Sequence, residues 1–360
     1  MNSGHDHIVV AAVAAVTPVG LNAVQTCSAL RAGISGIRQT ILRPPPKEPL
    51  LVASVPTTAR LRRGDREWLG NLACRAIREA LSKTHLSSER IALLLSLPEP
   101  YREHPAFFRG TPEVFLGQIE RQMKARFNKR SCVLVGGHAA PIQALKIVDA
   151  LLRSEGEACL LCGVDSLLNS SDVECLSRAG RLRDMNHPQG VIPGEGAACV
   201  LLTRPESTAT QLSSIAGWAE AQEPNSVLGD NYSVGDGLAQ AIADAAGAAQ
   251  IAETDIDFRV SDMNGERYRA WESFLAGTRY YRTHRERLPL QLPAMAVGDL
   301  GAAASVLNLV VTATSISRGY APGPIACCES SSAQGSRAAA IVIPAQGAPT
   351  PPFRSRHVPT

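Results

Sequence analysis

The residue whose setting most suggests chemistry is His138. It follows Gly136 and Gly137 at the end of the apolar run 131–135 and precedes residues 140–153, whose apolar positions recur at helical spacing. A strand, two glycines and a helix start make an abrupt reversal, and a helix N-terminus offers unpaired amides that favour negative charge. A side chain on such a turn is presented to a pocket, where an imidazole has the placement of a nucleophile or a general base. The plainer reading is a turn shaped by its glycines, with His138 capping the helix.

The other candidate groups carry less. Cys159 and Cys162 have CxxC spacing, but ACLLCG reads as a strand, in which residues three apart point to opposite faces, and no second Cys or His pair follows at zinc spacing. No metal is expected there, and His5 and His7 read as part of a tail. The nine cysteines, an odd number, sit mostly inside apolar runs and read as reduced, small buried hydrophobes. GDGLAQAIADAAG lacks dinucleotide-binding spacing and no GxxxxGK occurs, so no cofactor is expected. Glu266 with Arg267, and Arg269 with Glu272, have the spacing of surface ion pairs on one helix. Glu195, in PGEG, is expected to bond backbone beside a bulge.

Composition narrows the partners. The 360 residues are 45% hydrophobic and 19% charged, enough for one large core or two fused smaller ones. Thirty-six Lys plus Arg against 33 Asp plus Glu leave a net charge of +3, which makes no footprint for nucleic acid. The longest apolar runs fall short of the ~20 residues that span a bilayer, and no cleavable signal is apparent. The expectation is a soluble, cytoplasmic protein.

The elements that must position His138 repeat in order. The first half reads as strand 8–16, helix 22–31, a proline loop at Pro44, Pro45 and Pro46, helix 65–82, strand 91–97 and a loop over 101–108. It continues with an amphipathic helix 112–127, strand 131–135, helix 140–153, strand 158–164 and a strand over 190–202 interrupted by Pro193, Gly194 and Gly196. A linker follows Arg204. The second half reads as strand 214–221, helix 237–249, strand 256–260, helix 267–275, a short edge strand at Arg279, Tyr280, Tyr281 and Arg282, helix 301–315, and strands near 325 and over 338–343. Two βαβ-rich halves with Ala- and Gly-rich helices predict a duplicated five-layered α/β/α/β/α fold. The expected parts are 1–204, 205–347 and a Pro-rich tail, 348–360.

AVTPVGLN followed by ALRAGISGI, together with VIPGEGAACVLL, resembles the β-ketoacyl synthase branch of the thiolase superfamily. The resemblance implies a duplicated thiolase-like fold and a homodimer formed through an edge strand of the first half. Active members use a Cys on the turn before a buried helix, two His from the second half and a Gly-rich loop near the C-terminus. Matched motif by motif, VLVGGHAAPIQALKIVDALL places His138 at the nucleophile, with Cys132 several residues earlier in the strand. FRVSDMNGERYRAWE places Asn264 at the first His, AVGDLGAAASVLNLV places Asp299 at the second, and CCESSSAQGSR replaces the Gly-rich loop. Gly137, Gly265 and Gly298 fall beside these positions as substrate-binding backbone.

An imidazole cannot hold a stable thioester, and an ionised Asp299 would repel an enolate that Asn264 alone could help to bind. The resemblance therefore implies a catalytically degenerate protein that serves as an adaptor or accessory scaffold. Truncated proteins of this likeness are encoded near bacterial type VI secretion effectors, which suggests an effector or adaptor partner. A second expectation is an accessory subunit of an active ketosynthase or a binder of acyl carrier protein, met by Arg60, Arg62, Arg63 and Arg66 or by Arg121, Lys124, Arg126, Lys129 and Arg130. A third is a redirected thioester hydrolase or acyltransferase that uses His138 as base.

Overall fold

A computed structural model describes residues 7–40, 49–57, 63–100, 112–154, 158–205 and 210–345. His5, the proline loop at Pro44, Pro45 and Pro46, Arg60, Arg62, the loop 101–108, part of the linker and the tail 348–360 lie outside the described residues.

The strands are β1 (Ile8–Val16), β2 (Ile37–Thr40), β3 (Leu50–Ala53), β4 (Ile91–Leu97), β5 (Cys132–Val135), β6 (Ala158–Ser166), β7 (Glu195–Thr203), β8 (Ser213–Gln222), β9 (Phe258–Ser261), β10 (Leu290–Gln291), β11 (Ala326–Ser331) and β12 (Ser336–Ile343). The helices are α1 (Ala23–Arg31), α2 (Arg66–Leu81), α3 (Glu113–Met123), α4 (Ala140–Gln143), α5 (Leu145–Ser154), α6 (Ser170–Arg178), α7 (Asp236–Ala249), α8 (Arg267–Tyr280), α9 (Ala294–Val297) and α10 (Ala304–Ser317).

Ten strands form one sheet in the order β10-β9-β11-β12-β8-β1-β7-β6-β4-β5, and its two halves share a topology. In the first, β5, β4 and β6 run parallel, β7 pairs antiparallel with β6, and β1 pairs antiparallel with β7. In the second, β10, β9 and β11 run parallel, β12 is antiparallel to β11, and β8 is antiparallel to β12. The halves join at a short antiparallel seam, where Ile8, Val9 and Val10 face Ile215, Ser214 and Ser213. The duplication of layout thus extends to strand order and direction.

Strands covered on both faces read as continuous apolar runs, which is why β1, β4 and β6 show no alternation. A middle layer of α4, α5 and α10 lies between the halves. Leu145, Val148, Leu307 and Val310 pack there against Val10, Leu94 and Val200 on one side and Phe258, Val260 and Val342 on the other. α10 is apolar nearly all round, as a helix enclosed on every side must be. α2 and α3 cover the outer face of the first half through Leu69, Ile77 and Phe115, and α7 and α8 cover that of the second through Leu238, Ile242 and Ala276. These are the five layers α/β/α/β/α. Cys159 faces the middle layer and Cys162 the outer one, as their spacing on a strand requires.

Several boundaries differ from the sequence pattern. Residues 279 and 280 end α8 instead of forming an edge strand, because Ala276 and Tyr280, four apart, both pack on the core beneath that helix. The strand expected over 190–202 begins only at Glu195; Pro193 has no N–H to donate, and residues 193 and 194 make isolated bridges to Asp299 and Ala53. Helix 140–153 breaks at Ala144 into α4 and α5. Glu195 does accept a backbone bond, from Val55 N at 3.0 Å, and its carboxylate also receives Trp68 Nε1 at 2.8 Å, Ser166 Oγ at 3.0 Å and the Arg63 guanidinium.

Gly163, on β6, lies against the turn that leads into α10. A Cβ there would stand 2.3 Å from the Ala302 carbonyl oxygen, a backbone atom that cannot move aside alone. Gly163→Ala is expected to cost about 2–3 kcal/mol in urea unfolding, with an unchanged stability contradicting this contact.

Candidate functional site

His138 is set by the end of β5. Gly137 takes φ +65 to reverse the chain, and its missing side chain leaves room for Glu99, whose Cγ would lie 2.5 Å from a Cβ at that position. The segment after β11 closes over this turn: Ser332 Oγ donates to Gly136 O at 2.7 Å and accepts from Ala139 N at 2.9 Å, and Ala333 N donates to Glu99 Oε1 at 2.7 Å. His138 therefore does not cap α4 with its side chain.

Asp299 comes from the loop between α9 and α10. The segment before β7 grips its backbone, with Asp299 N donating to Ile192 O at 2.8 Å and Gly194 N donating to Asp299 O at 3.0 Å. Gly298 takes φ +70, and a Cβ on it would meet Ile192 O at 2.9 Å, so the PGEG segment and the Asp299 loop fit only with glycine there. Asn264 follows β9 on a turn made by Gly265 at φ +95.

These three side chains meet. His138 Nε2 lies 2.7 Å from Asp299 Oδ1, which also accepts from Gly301 N at 2.8 Å, while Asn264 Nδ2 donates to Asp299 Oδ2 at 2.7 Å. Both carboxylate oxygens are occupied, and 11% of the His138 side chain remains exposed. Of the three glycines, Gly137 lines the adjoining pocket, whereas Gly265 and Gly298 shape turns outside its lining.

Around this cluster stands a second ring of charge. Glu266 accepts from Asn264 Nδ2 at 3.1 Å and takes two bonds from Arg181, at 2.7 and 3.0 Å. Arg269 lies 3.8 Å from Asp262 and 3.9 Å from Glu266 and donates to Ser331 O. Asp262 accepts from Ser330 Oγ at 2.6 Å and Ser331 N at 3.0 Å. Glu272 accepts from Arg337 Nε at 2.8 Å. Glu266, Arg269 and Glu272 are therefore buried, not the surface ion pairs their spacing suggested, because that face of α8 turns onto the β11–β12 connection. Glu99 and Arg181 have no motif to announce them, whereas Asp262 lies two residues before Asn264 in the same stretch.

The electrostatics follow from this geometry. Burial opposes a charge on His138, but the attraction and hydrogen bond of Asp299 outweigh it, with Arg269 opposing and Asp262 assisting, so its pKa is raised above the ordinary 6.5. Burial likewise opposes the Asp299 charge, yet His138, Asn264 and the Gly301 amide hold its carboxyl well below the usual carboxylate range. Below the raised His138 pKa the pair is an imidazolium and a carboxylate. An imidazolium has no lone pair for attack or proton removal and serves instead as a hydrogen-bond donor. Burial also raises the Cys132 thiol on β5, which disfavours the reactive thiolate.

A pocket of about 50 Å³ opens beside the pair. His138, Asp299, Arg181, Arg269 and Glu99 give it polar walls, and Leu167, Leu176 and Leu228 give it apolar ones. Among the described residues no group of three or more His, Cys, Asp or Glu is placed to hold a metal, and no helix is long and apolar enough to cross a membrane. Arg121, Lys124, Arg126, Lys129 and Arg130 are all exposed at and beyond the end of α3, whereas Arg63 is drawn to Glu195.

The paired shifts set a pH window. A raised His138 pKa stabilises the fold fully below the unfolded value of 6.5 and is lost as pH rises through the folded value. A lowered Asp299 pKa stabilises above its unfolded 3.8 and is lost as pH falls through the folded value. His138→Gln is thus expected to lower the melting temperature most between about pH 4 and 6.5 and least in alkali. An equal loss at all pH values would contradict the ion pair.

No family model matches the chain, and no curated protein matches it. Solved structures do. The ishigamide ketosynthase/chain length factor is 18% identical with a TM-score of 0.74, over 94% of this chain and 99% of that one. A type II polyketide ketosynthase in complex with its acyl carrier protein and bound to a hexaketide is 15% identical with a TM-score of 0.77, again over 94% and 99%. The oxazolomycin ketosynthase domain of Streptomyces albus is 16% identical with a TM-score of 0.78, over 96% of this chain and 75% of that one. The chain therefore has the thiolase-like fold of the ketosynthases.

Proposed function

We propose that this is a ketosynthase-like protein without condensing activity, which acts as an adaptor or accessory scaffold and binds at its pocket without being acylated there. The observation that carries this reading is the 2.7 Å contact between His138 and Asp299 on the turn where condensation needs a thiolate. Asp299 supports it further: a buried carboxylate beside the reacting carbon would oppose the enolate that decarboxylation forms. The redirected hydrolase needs a neutral His138, whereas the Asp299 carboxylate beside the ring favours its protonated form, which cannot act as base.

Two partner classes suit the scaffold. The neighbours include a ketosynthase paired with a chain length factor and one bound to an acyl carrier protein, and the exposed basic run from Arg121 to Arg130 offers charge to an acidic partner. A bacterial type VI secretion effector or its adaptor is the other class. Self-association through β5 fits both: β5 ends the sheet, Cys132, Val133 and Leu134 are half-buried, and Val135 is 41% exposed, so among the described residues an apolar edge lacks a neighbouring strand.

Incubation with malonyl and acyl thioesters, followed by intact-mass measurement and assay of carbon dioxide release, is expected to show no adduct and no turnover. An adduct, or turnover lost in His138→Ala, would overturn the reading. Sedimentation is expected to give a dimer, and Val135→Lys, a charge on the edge, is expected to shift it to monomer; a monomeric wild type would remove the dimer from the account.

A further inference from the structure

We propose that the pocket beside His138 holds a small carboxylate that carries a hydroxyl or ammonium donor near its carboxylate and a short apolar tail. This rests on the reading that the site binds without being acylated, and it goes beyond it by naming what is bound.

Each of two buried residues that line this pocket has one polar atom without a hydrogen bond, and the two atoms have opposite polarity. Glu99 is 4% exposed; its Oε1 accepts from Ala333 N at 2.7 Å, but its Oε2 has no hydrogen bond. Arg269 is 3% exposed, and its Nε has no hydrogen bond, since Glu266 Oε2 at 3.9 Å is out of reach. Native structures rarely leave such atoms unmet, and an unmet acceptor and an unmet donor on two residues of one pocket lining call for a ligand that reaches both by a small shift of their side chains.

The rest of the lining selects among such ligands. Arg181 and His138 are held by Glu266 and Asp299, so the unmet Nε of Arg269 is what favours an anionic acceptor, and a carboxylate fits a guanidinium well. Glu99 then requires a donor on the same molecule, which a simple fatty acid lacks. Asp172 also lines the pocket and would repel a second negative charge, although Asn169 Nδ2 already donates to it at 2.5 Å. Leu167, Leu176 and Leu228 give the ligand's remaining face an apolar wall. The pocket is small and opens towards Leu228, which is 45% exposed, so the ligand's tail lies on that side.

The test is ligand-detected NMR and calorimetry on the full chain with 3-hydroxybutyrate, L-valine and, as the control without a donor, butyrate. The first two separate hydroxyl from ammonium sources. At least one is expected to bind about tenfold or more tightly than butyrate. Glu99→Gln, whose carbonyl can keep the Ala333 bond while its amide turns a donor to the ligand, is expected to abolish that preference. Leu228→Glu, at the exposed rim, is expected to weaken binding about tenfold without a change in melting temperature, so the proposal stays testable should Glu99→Gln fold poorly. Equal binding of all three probes, no binding, or a preference that survives both substitutions would overturn it and leave the pocket to water. None of these outcomes resembles failure of the non-condensing reading, which appears as a covalent mass adduct with a thioester.

Discussion

The buried contact between the His138 ring and the Asp299 carboxylate, which favours the imidazolium, is the interaction on which the site depends. Two charges taken out of water lose several kcal/mol of hydration each, and their mutual attraction offsets this only when the remaining lone pairs and protons are also met. Asp299 fulfils that condition, with His138 and the Gly301 amide on one oxygen and Asn264 on the other. The parts of the cluster come from three distant stretches of chain, and removing any one leaves a charge or a donor stranded.

The duplicated fold brings those stretches together. His138 belongs to the turn after β5 in the first half, while Asn264 follows β9 and Asp299 precedes α10 in the second. The two halves share one sheet through a short seam and enclose one central helical layer, so the strand ends of both converge on the same space. Local packing fixes the final distances. Gly137 admits Glu99, Gly298 admits the segment before β7, and Ser332 ties the turn before α4 to the connection between β11 and β12. Ser330 and Ser331, just before Ser332, turn their hydroxyls to Asp262 and Glu272 instead.

Much of this was legible in the sequence. Continuous apolar runs gave β1, β4 and β6 because each is covered on both faces, and the repeated order of elements pointed to five layers. The meeting of His138, Asn264 and Asp299 was readable only because family motifs gave a register between segments that lie far apart in the chain. What stayed hidden was tertiary in origin. Glu266, Arg269 and Glu272 have the spacing of surface pairs, and nothing local tells that this face of α8 is roofed by the β11–β12 connection. Tyr280 reads as strand by its type but is recruited into α8 by packing. Glu99 joins the pocket through a contact with Gly137 that no periodicity encodes, and α6 carries too short an apolar pattern to stand out.

The central claim is that the His138 side chain, on the turn after β5, is a clamped cation. Nitrogen-detected NMR of the His138 ring at neutral pH, in protein with labelled histidines and His138→Gln for assignment, tests it most directly. The account predicts both ring nitrogens protonated, with the Nε2 proton shifted downfield by its short bond to Asp299. A neutral ring with one bare nitrogen under the same conditions would contradict it and would return His138 to the role of an available base.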